Sequence, residues 1–194
     1  MDLPQVRSAS HDDADAVYHT LVLAFAADPL IRWIFPKATD FLEMAPRLFC
    51  AHGGRAFDHG TADVVGGAKA AALWLPPGVN PDEEGMLAAV VERASDELLA
   101  LAAPVFEEMD AYHPKEPHWY LADIGADPAM MGQGLGAALL KTGLQRCDAA
   151  GQTAYLESSN PRNISLYERH GFEIIGRIQH GESPTMTPML RPPR

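Results

Sequence analysis

The stretch Trp119–Leu140 reads WYLADIGADPAMMGQGLGAALL, and its reading decides how the rest of the chain is understood. Trp119 to Ala126 predicts a strand and Asp127-Pro128 a turn. Gly132 to Ala150 predicts a helix entered through glycines, with Gly151 as its stop. Gly132, Gly134 and Gly136 let the backbone come close to a ligand, and the unpaired N–H groups of a first helical turn point at whatever sits there. With the helix dipole they suit a phosphate or diphosphate, although three such glycines also serve tight helix–strand packing alone. The sequence Gly-x4-Gly-Lys-Ser/Thr is absent, which excludes a P-loop. Gly132 to Ala137 also fits G-x-G-x-x-A, with Glu157 lying 20 residues past Ala137, the pattern of a dinucleotide-dependent oxidoreductase. Against that reading, Asp127 to Met131 intervene between strand and glycine, and the chain beyond ends in strands.

Working outward, Thr153 to Ser158 predicts the next strand. Asn160-Pro161 supplies a cap with proline at the first helical position, and a short helix runs to His170-Gly171. Phe172 to Gln179 and Thr185 to Leu190 predict closing strands, the last interrupted by Pro188. Upstream, Gln5 to Ala9 predicts a strand, and Ser10 caps a helix with Val17, Leu21, Ala24 and Phe25 at helical spacing. Asp28-Pro29 ends it. Leu30 to Phe35 and Asp40 to Ala51 predict two further helices, broken by Gly53-Gly54, and residues 61–65 and 68–75 predict a hairpin around Gly66-Gly67. Residues 81–113 read as an acidic helical insertion. Its carboxylates form solvated faces of amphipathic helices and, on a second reading, also draw in a cation. One domain over 1–194 accommodates all of this.

The chain has 194 residues, 47% hydrophobic and 21% charged, an ordinary globular mix with enough length for a substantial core. Its net charge of −11 argues against a basic nucleic-acid-binding face. Residues 1–110 carry 18 acids and 7 bases, while residues 111–194 carry 8 of each. The front half therefore attracts cations, and the back half can receive an anion. Cys50 and Cys147 are too few for a disulfide framework and lie in no zinc spacing. The N-terminus lacks a signal-peptide pattern, and Leu98 to Phe106 falls well short of the ~18 apolar residues that span a bilayer. A soluble protein of a reducing cytosol is the expectation.

WYLADIGADPAMMGQGLGAALL followed by YLESSNPRNISLYERHGFEIIG (Tyr155–Gly176) resembles the GNAT superfamily of acyl-CoA-dependent N-acyltransferases. YHPKEPHWYLADIG, YLESSNPRN and YERHGF look most like its puromycin N-acetyltransferases. The resemblance implies an α/β (α+β) fold: a mixed, mostly antiparallel central sheet flanked by helices and splayed between strands four and five to admit CoA. It implies direct acetyl transfer from acetyl-CoA, through a tetrahedral intermediate and without a metal, to the primary amine of a small molecule, a puromycin-like aminonucleoside or similar cationic amine. A homodimer is compatible with it. Ile124, Gly125 and Ala126 would then offer backbone groups to pantetheine and the acyl carbonyl. Met131, Gly132, Gln133, Gly134, Leu135, Gly136 and Ala137 would form the diphosphate loop, with Met131 where the family usually has Arg or Gln. That departure is the one hint of an alternative, a non-catalytic acyl-CoA sensor. Asn163 and Asn160 would contact pantetheine, or, for Asn160 above all, cap the helix.

Three side chains carry the chemistry on this reading. Tyr167 matches the family tyrosine that protonates the departing thiolate, or is a packed aromatic. Glu157, at the end of the fifth strand, is the leading base for the amine, or positions it, or forms an ion pair. Tyr120 shares side-chain parity with Ala122 and Ile124 and relays a proton or lines the acceptor pocket, whereas Asp123 falls on the opposite face. His52, His59, His113, His118 and His170 form no motif and read as surface or structural. Phe25, Trp33, Phe35 and Tyr112 are candidate pocket aromatics, with core packing the better reading for Phe25.

Overall fold

A computed structural model describes residues 4–194. The hairpin forms as its pattern dictates: β2 (Ala62–Val65) and β3 (Ala70–Leu75) are buried along their whole length. Gly66 and Gly67 turn the chain between them at φ 58° and 70°, where a Cβ would be strained. β1 (Val6–Ser8) pairs with β2, and β3 pairs with β4 (Trp119–Ala126), all antiparallel. β5 (Ala154–Ser158) runs parallel to β4, then β7 (Thr187–Arg191) and β6 (Glu173–Ile174) close the sheet antiparallel in the order β1-β2-β3-β4-β5-β7-β6. The sheet is thus mixed and mostly antiparallel. β4 and β5 pair only at Trp119↔Ala154 and Tyr120↔Tyr155. Beyond Tyr120 the two strands part, and this splay is the opening on which the site depends.

Helices cover both faces. α1 (Ala14–Ala24), α2 (Pro29–Ile34), α3 (Ala38–Gly53), α4 (Glu83–Val91) and α5 (Asp96–Tyr112) occupy one side. Val17, Leu21, Met44, Phe49, Leu73 and Leu75 belong to the core there. α6 (Leu135–Ala149) and α7 (Ile164–Arg169) cover the other, over Trp74, Leu139, Leu140, Leu156 and Tyr167. The starts follow from side-chain caps: Asp28 accepts from the N–H of Leu30 and Ile31 ahead of Pro29, Asp82 caps α4 and Ser95 caps α5. α4 is tied to α3 by Arg47–Glu92 at 2.6 Å and Arg93–Glu43 at 2.9 Å.

Two expected elements differ. The helix after the glycine loop begins at Leu135 and not at Gly132, because Gly132 and Gly134 sit at φ 77° and 76°, outside helical geometry. The strand expected over Phe172 to Gln179 shrinks to β6 plus an isolated bridge at Ile178↔Met186. At Gly176 an added Cβ would lie 2.3 Å from the Tyr112 ring, so the C-terminal turn of α5 presses on the backbone where the strand breaks. β7, in turn, runs straight through Pro188, which pairs with Glu157.

Candidate active site

A cavity of about 590 Å³ runs from the helices of one face, through the splay, to α7 on the other. Tyr120, Ile124, Glu157, Asn163 and Tyr167 line it, and so do His52 and Asp123. The cavity is continuous because β5 no longer pairs with β4 past Tyr120.

The side-chain parity expected for β4 is overturned. The β3–β4 register shifts between Leu73 and Trp74: Leu75 faces Tyr120, Trp74 faces Leu121, yet Leu73 faces Asp123. Ala122 is therefore the extra residue of a β-bulge, which re-aims every side chain after it. Tyr120 and Asp123 come to the same face, while Ile124 joins the opposite core. Both meet His52 from the last turn of α3. His52 Nδ1 lies 3.1 Å from Asp123 Oδ1, and its Nε2 lies 3.0 Å from the Tyr120 hydroxyl. α3 comes this close because Gly53 has no side chain: a Cβ there would lie 2.5 Å from Asp123 Oδ2 and 2.7 Å from Leu73 Cδ1.

The carboxylate accepts from Nδ1–H, and this fixes the neutral tautomer with Nε2 free to accept from the tyrosine. Burial pushes the His52 imidazole down, but the charge and hydrogen bond of Asp123, with the charge of Glu157, outweigh it, and the net shift is upward. Burial raises Tyr120 well above an ordinary phenol, with Glu157 and Asp123 adding to the effect. His52 is thus held by two hydrogen bonds on the cavity wall, within the structural placement expected of it, whereas Asp123 is a correction to the expectation of the opposite face.

A pair of histidines, His113 and His118, stands beside Glu157. Its carboxylate is buried, with Oε1 3.6 Å from His113 Nδ1. His113 Nε2 lies 3.0 Å from His118 Nε2, and His118 Nδ1 lies 2.8 Å from the Glu116 carbonyl. A carbonyl only accepts, so His118 Nδ1 carries a proton. Burial, joined by the charge of His113, lowers the His118 imidazole in spite of that bond and of Glu157. The neutral ring therefore accepts from His113 Nε2–H. Both rings stand edge-on to Tyr155, at 4.9 and 5.9 Å between centroids. Sequence reasoning missed the pair; its signal was the two histidines flanking a short proline-bounded loop, His113-Pro114-Lys115-Glu116-Pro117-His118, that ends on β4.

Tyr167 is buried on the α7 side of the cavity. Burial, then the charge of Asp28, raises it above the ordinary phenol range, so it keeps its proton. Asp28 is itself buried; its Oδ1 accepts from two α2 N–H groups and its Oδ2 from the Ser159 hydroxyl at 2.5 Å. Asn163 reaches the cavity, whereas Asn160 caps the turn after β5 by accepting from the Arg162 N–H at 3.1 Å.

The glycine loop lies at the α6 end of the splay. Met131, Gly132, Gln133 and Gly134 are exposed, and Met131 points no cation at the loop. α6 has Gly134 as N-cap with no side-chain cap, so the N–H groups of Leu135, Gly136 and Ala137 are left for a ligand. A Cβ at Gly132 or Gly134 would meet nothing within 4 Å. Open space, bare N–H groups and the positive end of a 15-residue helix fit a diphosphate. Gly125 also lets α1 pack closely on β4, because a Cβ there would lie 2.6 Å from Ala24 Cβ. Ala126 faces the α6 core.

Of the four pocket aromatics, Phe25 alone lines the cavity, with its ring 5.1 Å from Phe49. Phe25 packs against the core as well, as its helical spacing predicts. Phe35 is core, Trp33 packs against the same core, and Tyr112 rests on Gly176.

A mixed sheet opened between its two parallel strands, with an anion-ready loop at one end and titratable side chains at the other, is an arrangement suited to group transfer from a phosphate-bearing donor. A family model for the acetyltransferase (GNAT) family matches residues 29–172, and the chain belongs to that family. An uncharacterized N-acetyltransferase of Schizosaccharomyces pombe is 28% identical over 171 residues, covering 79% of this chain and 68% of the relative. A Corynebacterium glutamicum structure described as histone acetyltransferase HPA2 and related acetyltransferase superposes with TM-score 0.71 at 28% identity, covering 100% of this chain and 98% of that one. Arylalkylamine N-acetyltransferase 2 from Aedes aegypti also reaches TM-score 0.71, at 13% identity with both chains fully covered, a likeness of fold.

Proposed function

We propose that this acetyltransferase moves acetyl from acetyl-CoA to the primary amine of a small molecule, with a puromycin-like aminonucleoside among the acceptors the sequence resemblance favours. The observation that carries the reading is one cavity, continuous through the β4–β5 splay, with Tyr167 at one side and Glu157, Tyr120 and His52 at the other. Leu135, Gly136 and Ala137 hold the diphosphate by their N–H groups, Gln133 stands beside it, and the edge of β4 that β5 leaves free after Tyr120 takes the pantetheine arm.

Acetyl-CoA supplies an activated thioester: the C–S bond breaks as the N–C bond forms. An ammonium substrate gives up two protons over the reaction and the thiolate takes one. Tyr167, held protonated, donates to the sulfur. Glu157 and the Tyr120 hydroxyl receive from the amine, and Tyr120 passes its own proton to His52 Nε2, with the charge taken up by Asp123. The proton on Glu157 leaves past His113 and His118 to solvent; as the products depart His52 releases its proton and Tyr167 takes one up, so both return to their starting states and one proton is released per turnover. Two unpaired cysteines, Cys50 exposed and Cys147 buried, suit work in a reducing cytosol.

The test is thiol release from acetyl-CoA with a panel of amines. Tyr167→Phe lowers kcat with little change in CoA affinity. Unchanged turnover removes Tyr167 from the chemistry, and CoA binding with no thiol release for any amine favours the sensor.

A further inference from the structure

Beyond the splay the cavity changes character. Toward α2–α5 its wall is Ile31, Leu48, Phe49, Met86, Val90 and Met109, apolar side chains from four helices. Apart from Tyr167 on the α7 side, its buried titratable groups, His52, Tyr120, Asp123 and Glu157, gather at the strand end. The remaining carboxylates on its lining, Glu83 and Glu107, are exposed at the solvent side of α4 and α5. The chamber therefore has one polar end, which holds Asp123 and Glu157, and one apolar end, whose only carboxylates stand at the mouth.

From this division we infer that the acceptor is a primary amine borne on a bulky, uncharged apolar body, arylalkyl or branched alkyl, and not a polyamine or an aminosugar. The inference rests on the acetyl-transfer reading and deepens it. The amine must reach Glu157 and the Tyr120 hydroxyl, so the rest of the molecule lies along Ile31, Phe49 and Val90. A second ammonium there is a buried charge with no partner, and a ring of hydroxyls loses its water without recovering hydrogen bonds. An aryl or branched chain gains what the wall offers, burial. A cavity of about 590 Å³, part of it taken by the thioester arm, leaves room for a body of one or two rings. A polar tail is tolerated where it emerges between Glu83 and Glu107.

The experiment measures kcat/KM by thiol release for butylamine, hexylamine, phenethylamine and tryptamine against spermidine and glucosamine. Calorimetry of acetyl-CoA with the same protein runs beside it. The expected result is a rise of about fourfold per methylene entering the chamber, from ~0.8 kcal/mol each. The arylalkylamines should exceed spermidine and glucosamine by roughly 100-fold or more. Met86→Glu, on a half-buried position, should reverse the order by weakening phenethylamine and admitting a diamine. 2-Phenylethanol, which lacks the nucleophile, should compete with the amine in the unaltered protein, and this holds the test if the variant fails to fold. Spermidine or glucosamine matching the arylalkylamines overturns the inference and leaves acetyl transfer standing. Acetyl-CoA binding without thiol release from any amine overturns acetyl transfer, and the inference falls with it.

Discussion

Asp123 shows how much one residue's placement decides. Read by alternation it belongs on the far face, and the bulge at Ala122 swings it beside Tyr120 and onto His52. In the proton path proposed here, His52 must be neutral to accept at Nε2. Its affinity for a proton is raised, so kcat/KM should climb with pH through a midpoint above the ordinary histidine value of ~6.5. The sign under mutation follows. Asp123→Asn removes the charge that raises His52, so the midpoint moves to lower pH, while His52→Gln costs roughly 100-fold in kcat/KM and abolishes that limb. A pH–rate series on the three proteins checks this, and a midpoint that stays put in Asp123→Asn takes His52 out of the path. The two thiols give a simpler check. Burial pushes Cys147 up to about 12, whereas Cys50 is exposed. Native protein should therefore titrate one thiol quickly with a disulfide reagent and the second only on unfolding.

At the scale of elements, the glycines separate into packing and ligand roles that the sequence alone does not distinguish. Gly53 is where α3 lands on the sheet, and its missing Cβ holds His52 and Asp123 at bonding distance. Gly53→Ala forces the helix off Leu73 and Asp123, at a cost of ~2 kcal/mol in stability and a matching loss of activity. Denaturant midpoints and thiol release measured together check it. Gly134→Ala meets no neighbour but must hold φ 76°, so it strains the loop by ~1 kcal/mol and weakens CoA binding more than it lowers the denaturant midpoint. Equal effects from both substitutions would contradict this division of roles. The strand Trp119–Ala126, the hairpin and the cap at Asn160 were legible because local pattern determines them, whereas Asp28, read as the stop of α1, also caps α2. The bulge was not, since it answers to the pairing of β3 with β4. The histidines were not legible either: His52 and Asp123 are 71 residues apart and meet only through the fold.

The whole molecule carries its charge unevenly, and the two substrates respond to it in opposite senses. Residues 1–110, which supply α2–α5 and the acceptor chamber, hold the entire net −11, while residues 111–194, which supply the splay strands and the α6 loop, balance to zero. An ammonium acceptor approaches the acidic half and is drawn in before it loses its proton; an anionic donor gains nothing from the field of the rest. Salt screens such steering, with a Debye length of ~10 Å at 0.1 M. Raising ionic strength from ~20 to ~200 mM should therefore lower kcat/KM for a cationic amine by about threefold or more, while KM for acetyl-CoA stays level or falls. An aromatic amine that is neutral at the assay pH should show no such slope. Changing Glu83 and Glu107 to Gln together, both exposed at the mouth, should flatten the slope for the cationic amine and leave its high-salt limit unchanged. A rate that ignores salt for charged and neutral amines alike would mean that the acidic half serves solubility alone, and acceptor capture would then rest on the apolar wall.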